Sequence, residues 1–235
     1  MLPAPRAVLF DMGGTLLAEL SYEPRQGLAR LVGAGRLEEA AEMMAWLWDS
    51  RVREARDRLL LEFPFANILS ILARHFHLDA CIDELERQFW SAALSTRPEP
   101  GVLEALRHLE RAGIATGVVS NSMFRTGTVT WALESSGLKP PLGPVLTSSD
   151  IGFRKPHPIL LRTAALACEV APREAWFVGD NLDIDVAGAR AAGMTAIWYN
   201  PAGRAGQGAD AEIRSWPELG ELLQGRTPGK RRETG

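Results

Sequence analysis

Short, largely apolar runs that stop at a polar residue constrain this chain more than any other feature. Ala7-Val8-Leu9-Phe10 ends at Asp11 and is followed closely by two glycines. Ile114 to Val119 ends at Ser120-Asn121, and Ala175 to Val178 ends at Gly179-Asp180. An apolar run without alternation fits a strand buried on both faces. Weaker runs at Pro144 to Leu146, ahead of Thr147-Ser148-Ser149-Asp150, and at Thr195 to Tyr199 predict two further strands. Helical patterns lie between them, over Val102 to Ala112, Thr126 to Ser136, Pro158 to Cys168 and Asp183 to Ala192. Strand alternating with helix implies a parallel sheet in an α/β fold. Ligands bind beyond the carboxyl ends of such strands. Asp11, Ser120 and Asp180 therefore aim polar groups at one crevice.

The stretch from residue 18 to 97 breaks this alternation. Leu37, Ala41, Met44, Trp48, Val52, Ala55 and Leu59 recur at helical spacing with Glu and Arg between them. Phe63 to Phe76 and Ile82 to Leu94 also read as amphipathic helices, and Pro98-Glu99-Pro100-Gly101 closes the segment. An all-helical insert after the first strand is the expectation. Trp46, Trp48 and Trp90 fall on its helices and read as core, with room for one of them to line a pocket. At 235 residues, 46% hydrophobic and 23% charged, the chain is large and apolar enough for a core carrying such an insert.

A formal net charge of −3 gives no electrostatic footprint for nucleic acid or an anionic membrane. The basic run Gly229-Lys230-Arg231-Arg232 sits among Thr, Pro and Gly and reads as a solvated end. Cys81 and Cys168 stand far apart and read as two free, buried thiols. No run approaches a membrane span, and no secretory leader is visible at the N-terminus. A soluble, cytoplasmic protein is expected.

The chemistry lies at the strand ends. In Phe10-Asp11-Met12-Gly13-Gly14-Thr15-Leu16 a carboxylate precedes a glycine-rich turn whose N–H groups suit phosphoryl oxygens. The same letters also make ordinary turns. Gly179-Asp180-Asn181-Leu182-Asp183-Ile184-Asp185 clusters acids directly after a strand, as a magnesium ion needs. Helix capping explains one such acid but not three. Ser120-Asn121 and Lys155, the latter in Arg154-Lys155-Pro156-His157, offer groups that neutralise a transferring phosphoryl group. Lys155 would also tether carboxylates that otherwise repel. The chain has only three lysines: Lys139, Lys155 and Lys230.

Taken in order, Asp-x-x-Gly-Thr, Ser-Asn, Lys-Pro and Gly-Asp-x4-Asp resemble the four motifs of the haloacid dehalogenase superfamily. The helical insert sits where that superfamily carries a C1-type cap. The resemblance implies a Rossmann-like parallel-sheet core over residues 1–17 and 98–235, with the all-helical cap over 18–97. It implies that Asp11 is a nucleophile and metal ligand, and that Asp180 is a second ligand supported by Asp185. Ser120 and Lys155 would engage the phosphoryl group, with Asn121 assisting and the turn at Gly13 and Gly14 binding substrate. Mg2+ is the implied cofactor, a small phosphorylated metabolite the implied substrate, and an aspartyl-phosphate the implied intermediate.

One residue departs from that pattern. Phosphatases of the superfamily carry an acid–base Asp two residues after the nucleophile, and here Gly13 stands there. The backbone carbonyl that the family offers to magnesium survives. Acid–base assistance, worth about 10²–10⁴ in rate, does not. Acyl phosphates, whose leaving groups need little protonation, would suffer least. Phosphonoacetaldehyde hydrolases also lack this Asp but use a cap lysine, and residues 18–97 contain none. Dehalogenases lack it as well, but have no use for the acids at Asp180 and Asp185. A phosphate-binding or regulatory protein without turnover is the alternative from another class. His75, His77 and His157 read as helix-end or loop residues rather than replacement acids.

Overall fold

A computed structural model of the protein describes residues 2–138 and 142–225. The basic run at Gly229-Arg232, Lys139 and Lys230 lie outside the described residues. Eight strands form among those described: β1 (Ala7–Phe10), β2 (Leu17–Tyr22), β3 (Leu94–Pro98), β4 (Ala115–Ser120), β5 (Val145–Thr147), β6 (Ala175–Gly179), β7 (Thr195–Tyr199) and β8 (Ala211–Ile213). Six make one parallel sheet in the order β5-β4-β1-β6-β7-β8. The first strand lies between β4 and β6, with Phe10 level with Val118 and Val178. This register brings Asp11, Ser120 and Asp180 to one edge.

Strand alternation divides the core into two layers. Val8 and Phe10 face the side covered by the helices Val102–Arg111, Thr126–Ser135 and Trp216–Leu223. Ala7 and Leu9 face the side covered by Pro158–Ala167 and Ala187–Ala192. Burial on both sides is why these strands read as continuous apolar runs.

The insert contains five helices: Pro24–Val32, Leu37–Leu47, Ser50–Leu59, Phe65–Phe76 and Ile82–Ala93. Its two ends pair as an antiparallel ribbon, β2 with β3, so the cap is helical in its body and joined to the core by strands. The long period from Leu37 to Leu59 is two helices, broken at Trp48-Asp49. Trp46 is 79% exposed, which corrects its reading as core: on the helix Leu37–Leu47 it points away from the buried Ala40. Cys81 is exposed and Cys168 half-buried, correcting two buried thiols; Cys81 stands at the N-cap position of Ile82–Ala93, outside the buried face of that helix. No helix among the described residues is long and apolar enough to cross a membrane.

Cap and core are joined through polar and aromatic contacts. The Glu62 N–H donates to Gly152 O at 2.9 Å, and the Arg154 N–H donates to Leu60 O at 2.7 Å. Phe124, from the loop after β4, packs at 4.8 Å from Trp90 and 5.4 Å from Phe65.

Candidate active site

Asp11 extends β1 by one residue, its N–H donating to Val178 O at 2.9 Å. The chain then turns on Met12, whose carbonyl accepts from the N–H groups of Leu16 and Leu17, each at 2.9 Å. Gly14 is required twice over. Its φ is +77°, and a Cβ there would lie 3.0 Å from the Asp180 carboxyl carbon. Gly179 is constrained as tightly, since a Cβ would meet Asp185 Cβ at 2.4 Å. The two glycines let the acids of the fourth motif approach Asp11.

The wide turn Leu182–Val186 completes that approach. Asn181 caps it, its side-chain oxygen accepting from the N–H groups of Asp183 (3.0 Å) and Ile184 (3.1 Å). Asp185 folds back so that its Oδ2 accepts from Asn181 N at 3.1 Å. π-type turns of this kind re-aim a side chain, and here the side chain is the Asp185 carboxylate.

Lys155 ties the site together. Its Nζ donates to Asp11 Oδ1 at 2.6 Å and to Val119 O at 2.9 Å, and lies 2.8 Å from Asp185 Oδ1. Two of the three ammonium donors are spent in hydrogen bonds to Asp11 and Val119, and Asp185 is held as an ion-pair partner. Lys155 is 2% exposed. Burial pulls its ammonium pKa down, but Asp11 and Asp185 outweigh that and hold it above its ordinary value. Asn121 fixes the lysine's backbone from both sides, donating to Lys155 O at 3.0 Å and accepting from Lys155 N at 2.7 Å. Its amide is thus engaged in positioning Lys155. Ser120 is buried at the end of β4 and lines the same cavity.

The electrostatics favour a cation. Burial above all, relieved by Lys155 and reinforced by Asp185, pushes the Asp11 carboxyl up to about 7. Burial and Asp185 push Asp180 up as well. Oxygens of Asp11, Asp180 and Asp185 lie within 4.8 Å of one another. Lys155 at the centre and the half-exposed Arg204, 3.8 Å from Asp180 Oδ2, leave the three carboxylates with an excess of negative charge that a cation would offset. Asp11 Oδ2 is buried with no hydrogen-bond partner. Asp185 Oδ1 is buried without one as well, and hard carboxylate oxygens left unpartnered in this way fit magnesium.

These groups open on a cavity of about 460 Å³. Gly13 lines it, and a Cβ at Gly13 would meet no heavy atom within 4 Å. The space for the family's second Asp exists without its side chain. Trp90 and Arg56 of the cap, Glu19 and Thr96 of the ribbon, and Arg154 beside Lys155 line the same space. Sequence reasoning did not single these out, Trp90 excepted. Arg154 had a signal in its neighbour Lys155, whereas the others reach the cavity through cap docking. None of the three questioned histidines lines the cavity. His75 pairs with Glu39 at 2.6 Å, His77 ends a helix with φ 52°, and His157 caps a helix and stacks on Phe153.

Against this geometry, a family model described as haloacid dehalogenase-like hydrolase matches residues 5–193. The chain is 30% identical over 223 residues to phosphatase MT3486 of Mycobacterium tuberculosis, covering 94% of this chain and 98% of that one. It is 30% identical over 195 residues to a phosphoglycolate phosphatase of Xanthomonas campestris pv. campestris, covering 82% of each. Among solved structures, a HAD phosphatase from Thermococcus onnurineus superposes with TM-score 0.59 at 30% identity, over 94% of this chain and 98% of that one. A 2-haloacid dehalogenase from Pseudomonas syringae pv. Tomato superposes with TM-score 0.66 at 25% identity, over 95% and 99%.

Proposed function

Because the chain belongs to the haloacid dehalogenase-like hydrolases, we propose that it is a magnesium-dependent phosphatase that passes the phosphoryl group of a small metabolite to Asp11 and then to water. The observation that carries this reading is Asp11 itself. One oxygen is held by Lys155, and the other is buried and unpartnered on a residue that lines the cavity. A carboxylate fixed in this way is oriented for in-line attack on phosphorus. Relatives named as phosphatases, including one for phosphoglycolate, support a small phosphate ester as substrate.

Asp11 forms the new bond to phosphorus as the ester oxygen departs. Lys155 keeps Asp11 and Asp185 together and offsets the charge they share, and Ser120 faces the transferring group. The Gly13-Gly14 turn offers backbone N–H groups to its oxygens. Asp11 and Asp180, with Asp185 in support and the Gly13 carbonyl, would hold Mg2+. Bound there, it supplies charge neutralisation at the phosphoryl oxygens. Residues 18–97 act as the cap over a core of 1–17 and 98–235, and its docking excludes water. Two free thiols suit a reducing cytoplasm.

The test is phosphate release from p-nitrophenyl phosphate, acetyl phosphate and sugar phosphates, with and without Mg2+. Release should require the metal and should fall to background in Asp11→Asn. Activity persisting in that variant would remove Asp11 as nucleophile. Gly13 favours a second reading, a phosphate-binding protein without turnover. Phosphate binding with no release across the panel would establish it.

A further inference from the structure

Gly13 leaves the proposed reaction without a proton donor for the departing oxygen. We propose that Glu19 supplies it from the neighbouring strand, acting as the acid and then the base of the phosphatase reaction described above.

The ribbon geometry carries the argument. Leu17, Glu19 and, past a bulge, Tyr22 of β2 line the cavity, as do their register partners Leu94 and Thr96 of β3. Alternate residues of a strand share a face, so one face of the ribbon forms a wall of the cavity. Leu17 is bridged directly to Gly13, and the Gly14 N–H donates to Leu17 O at 2.8 Å. Glu19 therefore stands two residues, about 6–7 Å along the strand, from the residue that abuts Gly13. The volume that a side chain at 13 would occupy is open, with no heavy atom within 4 Å of a Cβ. A glutamate, one methylene longer than aspartate, can reach into that volume from the next strand.

The other carboxyls lining the cavity are already engaged. Asp11 and Asp185 are tied to Lys155, and Asp180 belongs to the metal-binding set. Glu19 faces the cavity with no ion pair to any lysine or arginine among the described residues. Within the ribbon its charge acts on the Tyr22 phenol, which burial first and Glu19's charge second push above the ordinary value.

The steps balance. As Asp11 Oδ2 bonds to phosphorus, the P–O ester bond breaks, and its electron pair stays on the ester oxygen. That oxygen takes the proton of the Glu19 carboxyl and leaves as an alcohol. The Glu19 carboxylate next accepts a proton from the water that attacks the phosphoaspartate. Phosphate leaves, and both carboxyls return to their starting states.

The test is single-turnover release of the leaving group, with enzyme in excess and Mg2+ present, for wild type and Glu19→Gln. A series runs from acetyl phosphate and p-nitrophenyl phosphate to glycerol and ethyl phosphate. Glu19→Gln should lose about 10²-fold or more on the alkyl esters, with the deficit shrinking to a few-fold at acetyl phosphate. Gly13→Asp in the Glu19→Gln background should recover alkyl-ester cleavage, because the open volume accepts the new carboxyl. An equal loss across the series would assign Glu19 a structural role and overturn the proposal, as would no loss at all. If wild type forms no Asp11-dependent phosphoenzyme from any ester, the phosphatase reading fails and this proposal fails with it.

Discussion

Two buried glutamates fasten the cap to the core, and the protein treats them oppositely. Glu62 lies between the helices Ser50–Leu59 and Phe65–Phe76. It accepts from Arg56 Nε (2.9 Å), Arg154 Nη1 (2.5 Å), Ser148 Oγ (2.6 Å) and Phe63 N (3.0 Å). Glu86, on the helix Ile82–Ala93, accepts from Thr128 Oγ1 (2.8 Å) and Arg125 N (3.3 Å), all through Oε2, while Oε1 has no partner. Neither side chain is exposed. Burial pushes both carboxyls up. At Glu62 the arginines and Ser148 overturn that push and hold it below the ordinary value, whereas at Glu86 the partners fall short and it stays raised. Burying a carboxylate stabilises only when its lone pairs and its charge are both met.

The sharpest way to break this contrast is Glu62→Ala. It removes the carboxylate that Arg154 pairs with and leaves Arg56, also mostly buried, with only the more distant and exposed Asp57 at 3.8 Å. Removing one partner of a buried ion pair costs about 3–5 kcal/mol. Urea unfolding should show a loss of this size, with cap contacts such as Glu62 N to Gly152 O weakened alongside. A loss below about 1 kcal/mol would mean that the cluster behaves as a surface pair. Thr128→Val comes next. It removes the better-placed donor to Glu86 and should cost about 1.5–3 kcal/mol, the range for a hydrogen bond to a charged group. A negligible loss would mean that Glu86 is neutral or that its weaker partners suffice.

The pH dependence separates the pair by sign. Glu62 has a lowered folded value, so its contribution is present above the ordinary glutamate value, about 4.3, and is lost as pH falls through the folded one. Glu86 has a raised folded value, so its contribution is present below the ordinary value and is lost as pH rises through the folded one. Urea midpoints followed from about pH 3, below the ordinary glutamate value, up to about pH 8 should therefore diverge. Glu62→Gln should fall further behind wild type with rising pH, and Glu86→Gln should gain on it. Parallel slopes for the two variants would contradict the difference drawn between them.

The sequence carried the sheet and the strand-end residues because both depend on local pattern. Ala7–Phe10 and Ala175–Gly179 are strands buried on both faces, and a parallel sheet then brings Asp11, Ser120 and Asp180 to one edge. Lys155 joined them through a loop that its motif made visible. The ribbon wall was not legible, because β2 is exposed beyond Leu17 and Ala18 and its pairing with β3 spans the whole insert. Glu19, Arg56 and Arg154 reach the cavity only through that tertiary closure. Ser215-Trp216-Pro217-Glu218 did carry a local signal for the helix Trp216–Leu223: Ser215 stands at its N-cap with Pro217 in the first turn, and Ser215 Oγ donates to the Glu218 carboxylate at 3.1 Å. Glu86 was hidden differently: it sits on the stripe of Leu85, Phe89 and Trp90, where an acid reads as solvent-facing until the core helix Thr126–Ser135 is placed over it.

Glu86→Gln should have the smallest effect at neutral pH, and its sign is informative. The amide oxygen can still accept from Thr128 and Arg125, so these hydrogen bonds survive without their charge-assisted strength. The amide nitrogen takes the place of an oxygen that already lacked a partner, so one unsatisfied buried atom replaces another. The desolvation of a full charge disappears, and so does a 3.5 Å attraction to Arg125 Nε, on a side chain about one-third exposed. Arg125 Nε is buried, but its Nη2 keeps the ion pair with the mostly exposed Asp83, so losing the longer attraction costs typically under about 1 kcal/mol. The balance tips toward a small stabilisation, under about 1 kcal/mol at pH 8, shrinking as pH falls. A destabilisation above about 2 kcal/mol in the same urea titration would mean that Glu86 is as fully satisfied as Glu62, and that the cap is held by two equivalent anchors.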